Sequence, residues 1–270
     1  MVEWNFCYIF VSINNIVMKY ESQSQARKIT GLSYIGKVNN STKHEKAYKY
    51  QEMVYTIYLA PAKMSGYEVC PMRSAECTKL CLNESGHNRI DIHENKINKS
   101  RIKKTKLFFE NRQFFMGWVI DEIKQAKLKA EKNGFKFSVR LNNTSDISPE
   151  SFYIKDDEGN VKNILEIFPD VQFYDYTKVP KRMLLKKKYP NYDLTFSYSG
   201  SNLEDCFKML DNEIRVAMVF NEVPKEYMGV SVIPGDDYDM RYTDPNNVII
   251  GLKYKKTRQK VDENVKFVIQ

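Results

Sequence analysis

Three of the five cysteines in this chain lie within twelve residues, at Cys70, Cys77 and Cys81. Thiolates bind soft and borderline metals, so three of them in one short loop can converge on a single centre. The intervals of six and three residues differ from the paired C-x₂₋₄-C hooks that most zinc sites use. The sequence therefore predicts a metal or cluster loop, but the spacing does not fix the metal.

In a first hypothesis, the three cysteines ligate three irons of a [4Fe–4S] cluster and leave the fourth iron open to S-adenosylmethionine. In layout this resembles radical-SAM enzymes, which carry three clustered cysteines in the loop after the first strand of a βα barrel. Their usual spacing is C-x₃-C-x₂-C, from which this chain departs. Under this hypothesis the chain is an enzyme that acts on a nucleotide or nucleic acid.

In a second hypothesis, the same cysteines and His87 form a Cys₃His zinc tetrahedron, with His93 as a spare ligand. Such a site would stabilise the fold directly and leave a basic surface to bind nucleic acid without chemistry. A third hypothesis makes the cysteines small buried hydrophobes that bind no metal. Cys206, on an apolar helical face beside Phe207, is predicted to be a core residue, and Cys7 lies outside all three hypotheses.

Composition and charge limit what such a loop could serve. Hydrophobic residues make up 42% of the 270 residues and aromatic residues 13%, which predicts a folded α/β domain rather than disorder. A net charge of +8 would attract nucleic acid or nucleotides, although an ordinary basic protein has the same excess. An odd number of clustered cysteines without a convincing secretory signal predicts a cytoplasmic protein.

The sequence divides into four segments. The apolar run at residues 6–13 is too short to cross a bilayer, so no membrane partner is predicted. A start at Met18 would make residues 1–17 a spurious extension. A polar segment at 18–52 includes a predicted exposed loop at 39–46, in which His44 is expected to be solvated. The α/β domain is predicted at 53–256, and a tail at 257–270.

Alternating strands and helices predict the fold class. Seven segments have strand character: 53–60, 135–141, 171–176, 192–197, 214–220, 229–233 and 247–252. A long helix, in one piece or two, is predicted at 94–132, and shorter helices at 161–168 and 202–210. This alternation predicts a mostly parallel sheet in a single α/β domain, as a partial or irregular βα barrel with the cysteine loop after its first main strand.

In such a fold, chemistry belongs at the carboxyl ends of the strands. There we expect catalytic roles for a set of charged residues: Asp175, Lys178, Asp236, Asp237 and Arg241. We expect a cofactor to bind the polar residues Asn142, Asn143, Asp146, Ser197 and Ser199. Each alone is also typical of an ordinary turn, and the acidic run at 236–239 would suit Mg²⁺. Signatures of P-loop NTPases, α/β-hydrolases and zincins do not occur in the sequence.

The start of the long predicted helix is strongly basic. Six positive residues occur in eleven positions: Lys96, Lys99, Arg101, Lys103, Lys104 and Lys106. On a helix they would point in several directions. They predict either a solvated face or a surface that contacts nucleic-acid phosphates, and the sequence does not decide between the two.

Several motifs together resemble a known family. They are YLAPAKMSG at 58–66, CPMRSAEC at 70–77, KTKLFFE at 104–110, RLNNTSD at 140–146, FPDVQFYDYTK at 168–178 and GLK at 251–253. These runs are similar to those of a family of phage and plasmid proteins, of the type called gene product eighty-eight in mycobacterial phages. The resemblance covers roughly residues 55–253. It implies a mobile-element origin and no particular reaction.

Overall fold

One large mixed sheet organises the fold. The computed structural model describes residues 18–39, 41–85, 95–155, 159–255 and 265–270. In these residues, ten strands form the main sheet and two form a separate antiparallel pair. The strands are β1 Gly36–Val38, β2 Glu52–Ile57, β3 Lys136–Arg140, β4 Ile154–Lys155, β5 Val161–Lys162, β6 Gln172–Thr177, β7 Tyr192–Ser197, β8 Val216–Phe220, β9 Glu226–Tyr227, β10 Val230–Pro234, β11 Ile249–Lys253 and β12 Val268–Ile269.

The central strands are parallel and mostly follow chain order. Across the sheet the order is β1-β2-β3-β6-β7-β8-β11-β10-β9, with β12 beside the end of β8. The strands from β2 to β10 pair in parallel, and the edge strands β1 and β9 are antiparallel to their neighbours. All seven predicted strands are found, and the predicted mostly parallel sheet is confirmed. The described strands form an open sheet with two edges, so the prediction of a barrel is not confirmed.

Seven α-helices connect the strands in the described residues. They are α1 Gln23–Thr30, α2 Thr42–Glu45, α3 Ala75–Lys79, α4 Lys96–Glu110, α5 Arg112–Lys132, α6 Ile164–Ile167 and α7 Leu203–Asp211. The predicted long helix is the pair α4 and α5. It breaks at Asn111, whose side chain accepts a hydrogen bond from the Phe114 amide and so caps α5. In the described part of the chain, no helix is long and apolar enough to cross a membrane.

Two sequence expectations fail in detail. The predicted helix at 161–168 is reduced to the four residues of α6, because Val161 and Lys162 form β5 and Asn163 begins the helix with a capping box. The predicted exposed loop at 39–46 contains α2, and His44 is only 1% exposed. Its Nε2 lies 3.1 Å from the carboxylate of Asp239. That partner is far away in sequence, so a local pattern could not indicate it.

The core lies on both faces of the sheet. On one face, α5 packs Trp118, Val119 and Ile123 against residues that include Tyr55 and Phe173. On the other face, the segment before β11 packs Met240 against Val54 and Tyr174. Burial on both sides is typical of parallel sheets, whose strands therefore lack a simple polar and apolar alternation. The carboxyl edge is left for the loops that follow each strand.

Candidate metal centre

The cysteine loop runs from β2 across the carboxyl edge of the sheet. Two hydrogen bonds attach it to the chain after β3: Asp146 N donates to Val69 O at 2.7 Å, and Thr144 Oγ1 donates to Leu59 O at 2.5 Å. The Cys70 thiol lies 3.8 Å from the Thr144 carbonyl oxygen. An ion pair of 3.1 Å between Arg73 and Glu68 closes the loop on itself. The loop is thereby held above the ends of the strands.

Helix α3 carries Cys77 and ends just before Cys81. Its N-cap is Ser74, whose hydroxyl accepts a hydrogen bond from Cys77 N at 2.9 Å and donates one to the carbonyl oxygen of Ser199 at 2.5 Å. A cap of this type satisfies one of the amides that a helix leaves unpaired at its start. Ser74 therefore fixes the position of Cys77 and joins it to the loop after β7.

The last strand holds the other side of α3. The amide of Phe267 donates to the Glu76 carboxylate at 2.7 Å, and Leu80 packs with Val265 and Val268. Gly200 makes this approach possible, because it adopts a φ of +92° and a Cβ there would lie 2.7 Å from the Glu76 carboxylate. Residues near the carboxyl end of the chain thus pack against α3 and help to hold the cysteine loop in place.

The three thiols are close enough to influence each other's ionisation. Burial above all, with smaller contributions from the neighbouring Cys81 and Cys77, raises the pKa of Cys70 to about 12. Burial also raises the pKa of Cys81, against the opposing effect of Lys178 and Arg101. In the absence of metal, Cys70 and Cys81 are therefore neutral thiols at neutral pH. Binding a metal would release their protons.

Lys178, at the end of β6, supplies a positive charge in the middle of this group. Burial opposes its charge, yet the three cysteines and Asp146 together raise the pKa of Lys178 above its ordinary value. Its ammonium donates a hydrogen bond of 3.2 Å to Ser197 Oγ at the end of β7. A cation in this position can compensate the negative charge that three thiolates would bring.

A buried ionic network supports Lys178 from below. The Asp146 carboxylate accepts hydrogen bonds from Thr177 Oγ1 and Lys178 N, both at 2.8 Å, and pairs with Arg182 at 2.8 Å. Arg182 also pairs with Glu150 at 3.2 Å. Both carboxylates in this network, those of Asp146 and Glu150, already form hydrogen bonds or ion pairs with other protein groups. The network fixes the backbone at the end of β6 rather than offering free ligands.

Asp175 lies beside this network and has an unusual pKa. Burial raises the pKa of Asp175 to about 6, although Arg182 and Arg140 act in the opposite direction. Its carboxylate accepts hydrogen bonds from Asn142 N at 2.8 Å and Tyr192 Oη at 2.8 Å. Asp175 therefore lies beneath the carboxyl edge of the sheet, where its carboxylate is hydrogen-bonded to other protein groups.

The structure brings seven of the ten residues predicted at strand ends to one place. Asn142, Asn143, Asp146, Asp175, Lys178, Ser197 and Ser199 all follow or end the neighbouring strands β3, β6 and β7. Asn143 Nδ2 donates to Ile57 O at 3.3 Å, and Ser199 Oγ donates to Asn202 Oδ1 at 2.9 Å. The cofactor-binding and catalytic roles of these residues stay predictions.

The other three residues lie apart, in the segment after β10. Asp236 accepts a hydrogen bond from Lys253 N at 2.8 Å, and Asp237 is exposed. Arg241 is 1% exposed and lies 3.1 Å from the Asp244 carboxylate. The Asp239 carboxylate lies 2.5 Å from the Arg140 guanidinium, beneath the sheet. The three carboxylates of the acidic run at 236–239 therefore do not point to one place. Within the described ranges, no three His, Cys, Asp or Glu side chains are placed to hold one metal ion.

The remaining residues singled out in the sequence have different positions in the structure. Cys206 is fully buried, which confirms it as a core residue. His87, His93 and Cys7 lie outside the described residues. The six basic residues of α4 do not form one surface, because Lys104 is buried over the ring of Tyr34. Arg101 also turns inward, where its guanidinium stacks on Tyr58 4.9 Å from the ring centroid.

Sequence reasoning missed the residues that support the site. Arg182, Glu150 and Tyr192 form its buried hydrogen-bond network, yet none of them lies in a distinctive motif, and Ser74 caps α3 from within the cysteine loop. One local signal was present for Ser74, since a serine followed by Ala-Glu-Cys is a plausible helix start. The ion pairs of Arg182 join segments about thirty residues apart and had no local signal.

These features define a class of protein: a mixed α/β protein with a three-cysteine loop on the carboxyl edge of a mostly parallel sheet. The chain belongs to the Gene product 88 family, whose family model matches residues 20–269. This confirms the resemblance to the phage family and identifies a phage-type protein of mobile elements. No curated protein and no solved structure matches the chain, so the resemblance in layout to radical-SAM enzymes is not confirmed.

Proposed function

We propose that Cys70, Cys77 and Cys81 hold a [4Fe–4S] cluster and that its fourth iron is open to S-adenosylmethionine. The observation that carries this proposal is the grouping of three thiols around one half-buried lysine, Lys178, at the carboxyl edge of neighbouring parallel strands. Three cysteines are the donor set that such a cluster needs when one iron remains free. The chain would then be an iron–sulfur enzyme of a mobile element.

A single zinc ion is the alternative occupant of this loop. Zinc–sulfur bonds of about 2.3 Å in a tetrahedron require sulfurs roughly 4 Å apart. In the described residues no three such ligands converge on one ion, yet the three thiols interact electrostatically. A cluster is larger than an ion and takes thiolates that stand farther apart. The zinc alternative would also need His87 as its fourth ligand, and His87 lies outside the described residues.

The protein's own residues would have distinct tasks at this centre. Lys178 compensates the charge of the thiolates, because its ammonium interacts with all three of them. Ser74 holds Cys77 through the helix cap, and Thr144 packs its carbonyl against Cys70. Ser197 and Asn143, at the ends of β7 and β3, offer polar groups to a bound S-adenosylmethionine. The buried network around Asp146 keeps the edge rigid.

Cys70, Cys77 and Cys81 would hold the cluster, which when bound would supply one-electron reduction of S-adenosylmethionine and thereby radical chemistry on a substrate. The net charge of +8 agrees with a nucleotide or nucleic acid as that substrate.

The test is anaerobic purification followed by incubation with S-adenosylmethionine and dithionite. We expect visible charge-transfer absorption and release of 5′-deoxyadenosine and methionine, measured by liquid chromatography. Cys77→Ala should abolish both signals. Cys206→Ala is the matched control and should keep them, because Cys206 packs in the core beside Phe196 and Val216.

Two results would contradict the proposal. Stoichiometric zinc in a colourless protein would support the zinc-stabilised, non-catalytic alternative with His87. A folded protein that stays metal-free after reconstitution with iron and sulfide would make the cysteines structural residues only.

A further inference from the structure

The outer face of α4 carries four lysines in a row, Lys96, Lys99, Lys103 and Lys106, which we call the lysine ridge. Their spacing of three, four and three residues places them on one side of the helix. All four are exposed, whereas Arg101 and Lys104 turn inward. Ten residues of α-helix rise about 15 Å, so the lysine ridge is a straight line of positive charge about that long.

Helix α4 itself offers little negative charge to the lysine ridge. Helix α4 contains one carboxylate, Glu110, which accepts a hydrogen bond from Tyr67 at 3.2 Å. Within the described residues, Lys99, Lys103 and Lys106 take part in none of the ion pairs. The Lys103 ammonium lies over Gly31 at the end of α1.

We propose that the lysine ridge binds the phosphate backbone of nucleic acid. Each strand of a duplex carries one phosphate charge for about every 3.4 Å of the helix axis, so a line of lysines about 15 Å long can face several phosphates. Lysine contacts to phosphate carry no sequence information, and the lysine ridge offers no amide or guanidinium group to read a base edge. Binding here should therefore be independent of sequence and strongly dependent on salt.

The lysine ridge is separate from the proposed cluster. Arg101, on the opposite side of α4, is the member of this helix that interacts with Cys81. Nucleic acid on the lysine ridge would thus lie away from the thiols, and its binding would not require a metal. This separation makes the two proposals independent, since the binding test can be run on a Cys77→Ala protein that lacks the centre.

The test measures fluorescence anisotropy of a labelled 30-base-pair duplex against the Cys77→Ala protein over a range of salt concentrations. Adding Lys99→Gln, Lys103→Gln and Lys106→Gln should weaken binding at least tenfold at low salt. The slope of log affinity against log salt should become shallower by roughly two to three. Duplexes of unrelated sequence should bind within about threefold of each other.

The control triple is Lys129→Gln, Lys132→Gln and Lys136→Gln, which removes the same charge from exposed positions on α5 and β3. It should change affinity less than threefold. Equal weakening by both triples would overturn the proposal in favour of a general charge effect. So would unchanged binding by the lysine-ridge triple when circular dichroism shows that every variant is folded.

Discussion

Lys104 and Lys178 show how burial and neighbouring charges set the state of a lysine. Burial lowers the pKa of Lys104 to about 8, because the attraction of Glu122 only partly opposes it and Arg101 acts in the same direction as burial. At Lys178 burial acts in the same direction, but the cysteines and Asp146 outweigh it and raise the pKa. Lys178 therefore stays charged beside the thiols, while Lys104 loses its proton more easily than an ordinary lysine.

The pKa of Lys104 makes stability depend on pH in a defined direction. The folded state loses this proton near pH 8, and the unfolded state near 10.5. Between these values the unfolded state binds more protons, so the free energy of unfolding rises with pH. Relative to Lys104→Met, the wild type should gain about 2–3 kcal/mol between pH 8 and pH 10.5, since one pKa unit corresponds to about 1.4 kcal/mol.

Urea denaturation at several pH values measures this difference. Lys106→Met, on the exposed side of the same helix, is the control and should show a constant difference from the wild type. The prediction is contradicted if the difference in free energy of unfolding between wild type and Lys104→Met stays constant from pH 8 to pH 10.5. Burial would then not lower the pKa of Lys104.

Helix α3 depends on its surroundings because it has only five residues. A helix this short is not stable alone in water. It is held by the Ser74 cap, by the bond from Phe267 to Glu76, and by the packing of Leu80 against β12. The position of Cys77 thus depends on two segments that are distant in sequence, the loop after β7, which Ser74 contacts, and residues 265–269.

Ser74→Ala should therefore loosen the cysteine loop. It removes the acceptor for Cys77 N and the donor to Ser199 O. Loss of an N-cap costs about 1 kcal/mol. Hydrogen exchange followed by mass spectrometry should show several-fold faster exchange of the amides of Cys77 and Thr78.

Ser85→Ala is the matched control, because Ser85 Oγ makes only a local bond to Leu82 O. It should leave the exchange of the α3 amides unchanged. If the amides of Cys77 and Thr78 exchange at the wild-type rate in Ser74→Ala, the cap does not hold the cysteine loop. The packing of Leu80 against β12 would then be enough to hold α3 in place.

The long, regular elements could be predicted from the sequence. β7 spans the predicted residues 192–197 without a shift, and α4 with α5 fills nearly all of the predicted 94–132. The short elements could not. β12 has two residues and exists because it pairs with the end of β8, and α2 contains His44, which is buried by a contact with Asp239. Such elements owe their stability to tertiary contacts rather than to local propensity.

At the scale of the whole molecule, the parallel sheet brings the candidate site together. Consecutive strands place their carboxyl ends side by side, so residues after β3, β6 and β7 meet the cysteine loop. This grouping could be predicted once the strands were recognised. The separate position of Asp236, Asp237 and Arg241 could not, because the segment after β10 folds beneath the sheet through long-range contacts with Arg140 and His44.

The central claim is that the three clustered cysteines hold an iron–sulfur cluster, and metal analysis of anaerobically purified protein tests it most directly. The wild type and Cys206→Ala should each contain about four irons and four sulfides per chain, with little zinc. Cys70→Ala, Cys77→Ala and Cys81→Ala should each lose most of the iron. Iron and sulfide that stay at wild-type levels in all three single variants, or zinc in place of iron in the wild type, would contradict the account.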